Sequence, residues 1–299
     1  MFFRTLIITA LVGSLAHALD RFVQNGDVRV HYQVSGQGPL LVLLHGFPDN
    51  SDTWSEQVAF FEKSYTVVRP TLRGFPPSDI PEVTEEAYTM PTVIGDVIAI
   101  LDEFQVEKAI IGGHDFGGAA IQLLTILHPE RVEGLIIINS PILPRFYDLV
   151  NHDKDQQETS DYTIPYINFK AGDDKNVDVV VQPIQDEAYR DEIREYLNES
   201  PMEGMYAYYK FNYPGPPYGA NVDTSVMLYQ VPTLIIWGLD DEFFSRKMLD
   251  SLPNFFMDTV RLVTLPGVGH WSFREEADRV NAEISSWLRF LRTRHTCAR

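Results

Sequence analysis

The 299-residue chain contains a single cysteine, Cys297, close to its C-terminus. That scarcity excludes an internal disulfide and any metal centre built on several thiolates. Positive charge is also scarce: Lys+Arg number 24 against Asp+Glu 42, a formal net charge of −18. Phosphate backbones and anionic membrane surfaces require an excess of lysine and arginine, so neither nucleic acid nor membrane insertion is expected. Low-complexity tracts are few, and a 44% hydrophobic, 22% charged composition is that of a globular chain. No glycine-rich phosphate loop lies in a strand–helix context, and no His/Asp/Glu cluster has metal-ligand spacing. Neither a cofactor nor a metal is therefore expected.

Residues 1–18 follow the order of a secretory signal: Arg4, the apolar run Leu6–Val12, then Gly13-Ser14-Leu15-Ala16-His17-Ala18. This predicts cleavage after Ala18 and a secreted protein. Asn198-Glu199-Ser200 is then a glycan acceptor sequence, weakened by the Pro201 that follows.

From Val28 onward, apolar runs of strand length alternate with stretches of helical period, the pattern of an α/β fold with a mostly parallel sheet. Leu40–Leu44, Thr66–Val68, Ala109–Gly112 and Leu135–Ile138 read as buried strands, because continuous apolar runs suit strands covered on both faces. Thr53–Phe61, Val93–Phe104 and Phe116–Leu127 read as helices between them. The rhythm breaks after Pro141 and returns at Val231-Pro232-Thr233, with a strand at Arg261–Leu265 and a closing helix from about Glu275 to Arg292. Amphipathic segments at Glu187–Leu197 and Met202–Phe211 make the interruption a mainly helical lid. The expected division is a core over 19–142, a lid over 143–229 and the rest of the core over 230–299.

The sharpest local signal is Ile110-Ile111-Gly112-Gly113-His114-Asp115-Phe116-Gly117-Gly118, a strand entering Gly-x-Asp-x-Gly and then a helix. Small residues at 113 and 117 permit a tight strand-to-helix turn that presents the central side chain above the sheet. Serine is the usual occupant and aspartate stands here. A carboxylate gains little by attacking an acyl carbon. Attack on an sp3 carbon bearing a leaving group gives an alkyl-enzyme ester that water can cleave.

Such chemistry needs a base for the water and an acid to orient that base. His270, in Gly267-Val268-Gly269-His270-Trp271, follows a strand on a glycine-rich loop and fits the base. The acid lies in Asp240-Asp241-Glu242, with Asp241 the choice and Asp240 and Glu242 its rivals. The oxyanion hole falls to the backbone N–H groups of Phe116 and of Phe47, the latter in His45-Gly46-Phe47-Pro48, where a cis bond before Pro48 is expected. His45 is read as structural. Phe47, Pro48, Phe116, Tyr147 and Trp271 are the expected lining of an apolar substrate pocket.

Taken together, His45-Gly46-Phe47-Pro48, Arg73-Gly74-Phe75-x-x-Ser78, Gly113-His114-Asp115-Phe116-Gly117-Gly118 and Gly269-His270-Trp271 resemble the α/β-hydrolase epoxide hydrolases, over about Phe22 to Phe290. The resemblance implies the α/β-hydrolase fold and hydrolysis of a small-molecule epoxide to a vicinal diol, with water as co-substrate. It also implies two lid tyrosines that bind the epoxide oxygen and donate a proton as the ring opens. By local pattern these are Tyr166 and Tyr209, with Tyr162 and Tyr208 as alternatives. Pro77 stands where many relatives carry glycine, which stiffens the loop after Arg73, a residue expected to organise loops near the site. A haloalkane dehalogenase would place Trp after the nucleophile and Asn after His-Gly, and a haloacid relative would place Arg after the nucleophile; Phe116 and Phe47 stand in those places. A silent binding protein on the same fold is the remaining alternative.

Overall fold

The computed structural model describes residues 18–297, so residues 1–17 of the expected signal segment 1–18 lie outside the described residues. Eight strands form one sheet: β1 (Leu19–Asn25), β2 (Val28–Ser35), β3 (Leu40–Leu44), β4 (Thr66–Pro70), β5 (Ala109–His114), β6 (Val132–Ile138), β7 (Thr233–Gly238) and β8 (Val260–Leu265). Their order is β1-β2-β4-β3-β5-β6-β7-β8. The first three neighbours pair antiparallel, and every pair from β4 across to β8 is parallel. Parallel pairing demands crossovers, and the helices in these crossovers cover both faces. Every residue of β3, β5 and β7 is accordingly buried.

β1 was not expected from the sequence. Only Val23 of its residues is buried, so the apolar run that betrays an interior strand is missing. Two expected helices also begin differently. Thr53–Phe61 divides into a 3-10 turn at Ser51–Trp54 and a helix at Ser55–Phe61. The closing helix is preceded by a separate turn at Ser272–Glu275 and runs Ala277–Cys297. Among the described residues, no helix is long and apolar enough to cross a membrane.

Between β6 and β7 the chain makes helices at Leu143–His152, Lys154–Thr159, Thr163–Ile167, Val177–Val181, Glu187–Glu199 and Glu203–Asn212. This insertion sits over the C-terminal ends of the parallel strands and is tied down by polar groups. The Tyr208 hydroxyl donates to the Arg73 carbonyl at 3.0 Å, Tyr196 to the Pro76 carbonyl at 2.9 Å and Asn212 Nδ2 to the Tyr88 carbonyl at 2.8 Å. Arg73 is itself fixed from below, with Nε 2.7 Å from an oxygen of buried Asp96 and Nη1 donating to the Ala87 carbonyl. The loop-organising role expected of Arg73 has this physical form, and the bonds before Pro48, Pro77 and Pro217 are cis.

The central sheet carries the stability. Ile136 of β6 is fully buried between β5 and β7. Ile136→Ala should destabilise the protein by about 2–5 kcal/mol through lost transfer energy and a residual cavity, whereas Leu127→Ala, on a side chain 52% exposed, should change it by less than about 0.5 kcal/mol. Urea unfolding followed by tryptophan fluorescence checks both.

Candidate active site

β5 ends at His114, and Asp115 starts the helix Asp115–Leu127 in a left-handed backbone conformation, φ +50°. A non-glycine residue there is strained by about 1–3 kcal/mol, tolerated where the surroundings over-determine it. They do so here. A Cβ on Gly117 would lie 2.3 Å from the His45 carbonyl oxygen, one on Gly113 would lie 2.8 Å from the Gly117 backbone, and one on Gly46 would lie 2.3 Å from the Asp115 Cβ. Three glycines thus let strand, helix and the loop after β3 close around one carboxylate.

That carboxylate is buried, and its Oδ1 accepts the Phe47 N–H at 3.0 Å. Burial raises the Asp115 pKa, opposed by the charge of His270 and by the Phe47 and Phe116 amides, which favour the ionised form. Oδ2 faces His270, whose Nε2 is 3.8 Å away.

His270 Nδ1 lies 2.8 Å from Asp241 Oδ2. The same oxygen accepts from Asn139 Nδ2 at 2.7 Å, while Oδ1 accepts the Phe243 and Phe244 N–H groups. A Cβ on Gly238 would meet the Gly269 carbonyl at 2.2 Å, so glycine permits the loops carrying acid and base to touch. Of the rival carboxylates, Asp240 pairs outward with Arg246 at 2.8 Å, and Glu242 lies in the cavity wall without reaching the imidazole by hydrogen bond. Burial alone would lower the His270 pKa. The Asp241 charge and hydrogen bond, with the charges of Asp115 and Asp49, outweigh it and lift the imidazole above its ordinary value.

Above the carboxylate is a cavity of ≈ 210 Å³, with Phe47, Pro48 and Trp271 in its wall, and behind it a smaller lobe of ≈ 30 Å³ walled by Phe116 and Tyr147. Asp115, Tyr162 and Tyr209 line both lobes and so stand at the junction. The four candidate tyrosines separate here. Tyr208 bonds to Arg73 and lines neither lobe. Tyr166 lines only the larger lobe, and burial pushes its hydroxyl up to about 12. Tyr162 and Tyr209 are driven further above the ordinary value, by burial first and also by the Asp115 charge, and the two hydroxyls interact with each other. Tyr162, one helical turn before Tyr166, is therefore the one that shares the junction with Asp115. The Tyr166 ring instead stacks on Tyr206, centroids 4.7 Å apart.

His45 is held at neutral charge, burial taking its pKa down to about 4, with Nδ1 against the Gly46 carbonyl and Nε2 accepting the Leu72 N–H. Asn139, Asp49 and His114 surround the catalytic candidates and were not among the expected site residues, although His114 stands inside the Gly113–Gly118 motif. Asn139 directly follows the apolar run of β6, and the structure holds it at φ +36°. Among the described residues, no three His, Cys, Asp or Glu side chains form a metal-ligating group.

Residues 39–277 match the family described as alpha/beta hydrolase fold. Among curated relatives, "Epoxide hydrolase 4" of Mus musculus is 29% identical over 286 residues, covering 89% of this chain and 78% of that protein. "Epoxide hydrolase 3" of Xenopus tropicalis is 27% identical over 302 residues, covering 94% and 80%. The crystal structure of the Bacillus megaterium epoxide hydrolase with an inhibitor shares the fold, with a TM-score of 0.80, 23% identity and coverage of 90% of this chain and 100% of that one. With the family match spanning most of its length, the chain belongs to the α/β-hydrolase fold family.

Proposed function

We propose that the protein is an epoxide hydrolase that converts an epoxide and water to a vicinal diol through an ester on Asp115. The reading is carried by one observation: two tyrosine hydroxyls, Tyr162 and Tyr209, share the cavity junction with a buried carboxylate at a nucleophile elbow. Curated relatives that align with most of this chain bear the same activity in their names.

In the first step Asp115 Oδ2 attacks a ring carbon, the C–O bond breaks and the ring oxygen takes up negative charge. Tyr162 and Tyr209 meet that oxygen as donors, and one supplies the proton that makes it a hydroxyl. Both phenols are protonated at neutral pH, as a phenol ordinarily is, and burial moves them further in that direction, which is the form a donor needs. In the second step neutral His270 takes a proton from water at Nε2 while the hydroxide attacks the ester carbonyl. The carbonyl oxygen is Oδ1, already held by the Phe47 amide, so charge builds up where a donor is in place. Collapse releases the diol and restores the Asp115 carboxylate, and the imidazolium proton returns to the phenolate by way of solvent. Asp241 steadies the imidazolium and fixes its orientation. Among the described residues the one indole in the cavity wall, Trp271, donates its N–H to Asp49 and is not free to meet a departing halide.

Secretion is proposed on separate grounds: the signal-like residues 1–18 end where β1 begins at Leu19. Mass analysis of the protein recovered from an expressing cell's medium checks it, an N-terminus at Leu19 being expected.

Incubation with aryl and alkyl epoxides should give the vicinal diols by chromatography, and Asp115→Asn should give none. A wild-type protein inert towards the whole panel would overturn the reading. Tyr162→Phe and Tyr209→Phe should each lower kcat/KM by roughly 100-fold or more, the scale of a lost proton donor. Tyr166→Phe should cost less than about tenfold, because it gives up a wall contact and no proton. Steady-state kinetics on one epoxide distinguishes Tyr162 from Tyr166.

A further inference from the structure

Beside the site lies a carboxylate that the chemistry above does not use. Asp49, directly after Pro48, has no solvent exposure. Its Oδ1 accepts the hydroxyl of Tyr189 at 2.7 Å, and its two oxygens lie 3.3 and 3.1 Å from the Trp271 indole N–H. Tyr189 comes from the inserted helix Glu187–Glu199, 140 residues away, so this bond joins the insertion to the core directly beneath the cavity. The Tyr189 ring is held in turn by Arg274, whose guanidinium lies 3.6 Å from its centroid, donates to the Thr53 carbonyl and stands 3.6 Å from Asp186 at the start of the same helix.

On the far side, Asp49 Oδ2 is 3.7 Å from Nδ1 of fully buried His114. His114 Nε2 faces the His270 carbonyl at 3.1 Å and must donate to it, so Nδ1 presents a lone pair, and no hydrogen-bond partner reaches it. The two imidazoles pack with centroids 4.3 Å apart. Among the described residues the titratable or charged groups facing Asp49 are Tyr189 from the insertion, His114 from the elbow, His270 from the loop after β8 and Arg274 from the turn Ser272–Glu275, with Tyr196 feeling the charge from further along the insertion helix.

We propose that Tyr189 is a positioning residue for the ester-hydrolysis step, anchoring Asp49 as an anion and through it the Trp271 ring and the His114–His270 pair. The inference rests on the epoxide-hydrolase reading for its second step. Charge explains why that step is the sensitive one. In the free enzyme Asp115, Asp241 and Asp49 all raise the His270 pKa. In the ester intermediate Asp115 is neutral, so Asp49 supplies a larger share of the remaining field. Burial pushes Asp49 up to about 6, against the hydrogen bonds of Tyr189 and Trp271, which hold it down. Without the Tyr189 hydroxyl one of those donors is lost, Asp49 takes up a proton near neutral pH and can pass a hydrogen bond to the His114 lone pair. His270 then loses an anion and becomes a weaker base.

The test is the titration of the His270 imidazole by NMR in wild type, Tyr189→Phe, Asp49→Asn and their double variant, alongside the pH profile of kcat. Tyr189→Phe should lower the His270 pKa by roughly one unit and move the acid limb of kcat with it. In the same variant kcat should fall with KM little changed, and ester should accumulate in the steady state. Asp49→Asn should match it, and the double variant should shift no further. Tyr196→Phe, which breaks a different bond between insertion and core, should leave the His270 titration in place. An unmoved titration in Tyr189→Phe overturns the proposal, as does an equal shift in Tyr196→Phe. The titration needs no substrate, so a protein inert to epoxides would count against the proposed activity and leave this measurement standing. Tyr189→Phe keeps the ring beneath Arg274, so it decides the matter alone should Asp49→Asn fail to fold.

Discussion

Everything at this site depends on one crowded backbone turn, in which Asp115 is held at φ +50° between the end of β5 and the first turn of its helix. The turn exists because three glycines remove the Cβ atoms that would collide there, and because Ser140, from the end of the neighbouring strand, donates its hydroxyl to the Asp115 carbonyl at 2.8 Å. One carboxylate oxygen is thereby committed to a main-chain N–H and the other is left facing the cavity and the imidazole. The strained residue is also the reacting one. Packing of the buried central strands offsets the strain, so rigidity in the core is what permits a pre-aimed nucleophile.

Around that nucleophile the electrostatics follow from burial. Three carboxylates, Asp115, Asp241 and Asp49, surround a pair of imidazoles packed at a tilt, and each has its own set of donors. Asp241 is satisfied by Asn139 and two backbone amides in addition to His270, Asp49 by Tyr189 and Trp271, and Asp115 by Phe47. Anions on one side of the cavity raise the basicity of His270. The same low-polarity surroundings keep the tyrosines of the other side protonated. A single buried setting thus prepares a base below and proton donors above, the pairing of opposed roles that ring opening followed by hydrolysis requires.

How far the sequence could be read depended on whether a function left a local signature. The elbow was legible because Gly113 and Gly117 stand at fixed offsets from Asp115 at the end of an apolar run, and His270 because it is flanked by glycine after a strand. Asp241 could not be separated from Asp240 and Glu242 by spacing alone. What separates them is the turn itself, in which the Phe243 and Phe244 amides seize Asp241 Oδ1 and aim Oδ2 at the imidazole. Tyr162 and Tyr166 lie one helical turn apart on the same face, so periodicity treats them alike, and only the docking of the insertion brings Tyr162 to the junction. The Asp49–Tyr189 bond left no local trace, since its partners are 140 residues apart. β1 escaped for the opposite reason: as an edge strand with one buried side chain, it lacks the apolar pattern by which the other strands were found.

The central claim is that Asp115 forms a covalent ester with the epoxide and that His270 is needed to hydrolyse it. The most direct measurement is the intact mass of His270→Gln seconds after mixing with an aryl epoxide, with the double variant Asp115→Asn/His270→Gln as reference. The account predicts an adduct equal to protein plus the whole epoxide in the first and none in the second. Absence of an adduct in His270→Gln under conditions where wild type makes diol, or an adduct of the same mass in the double variant, would contradict it.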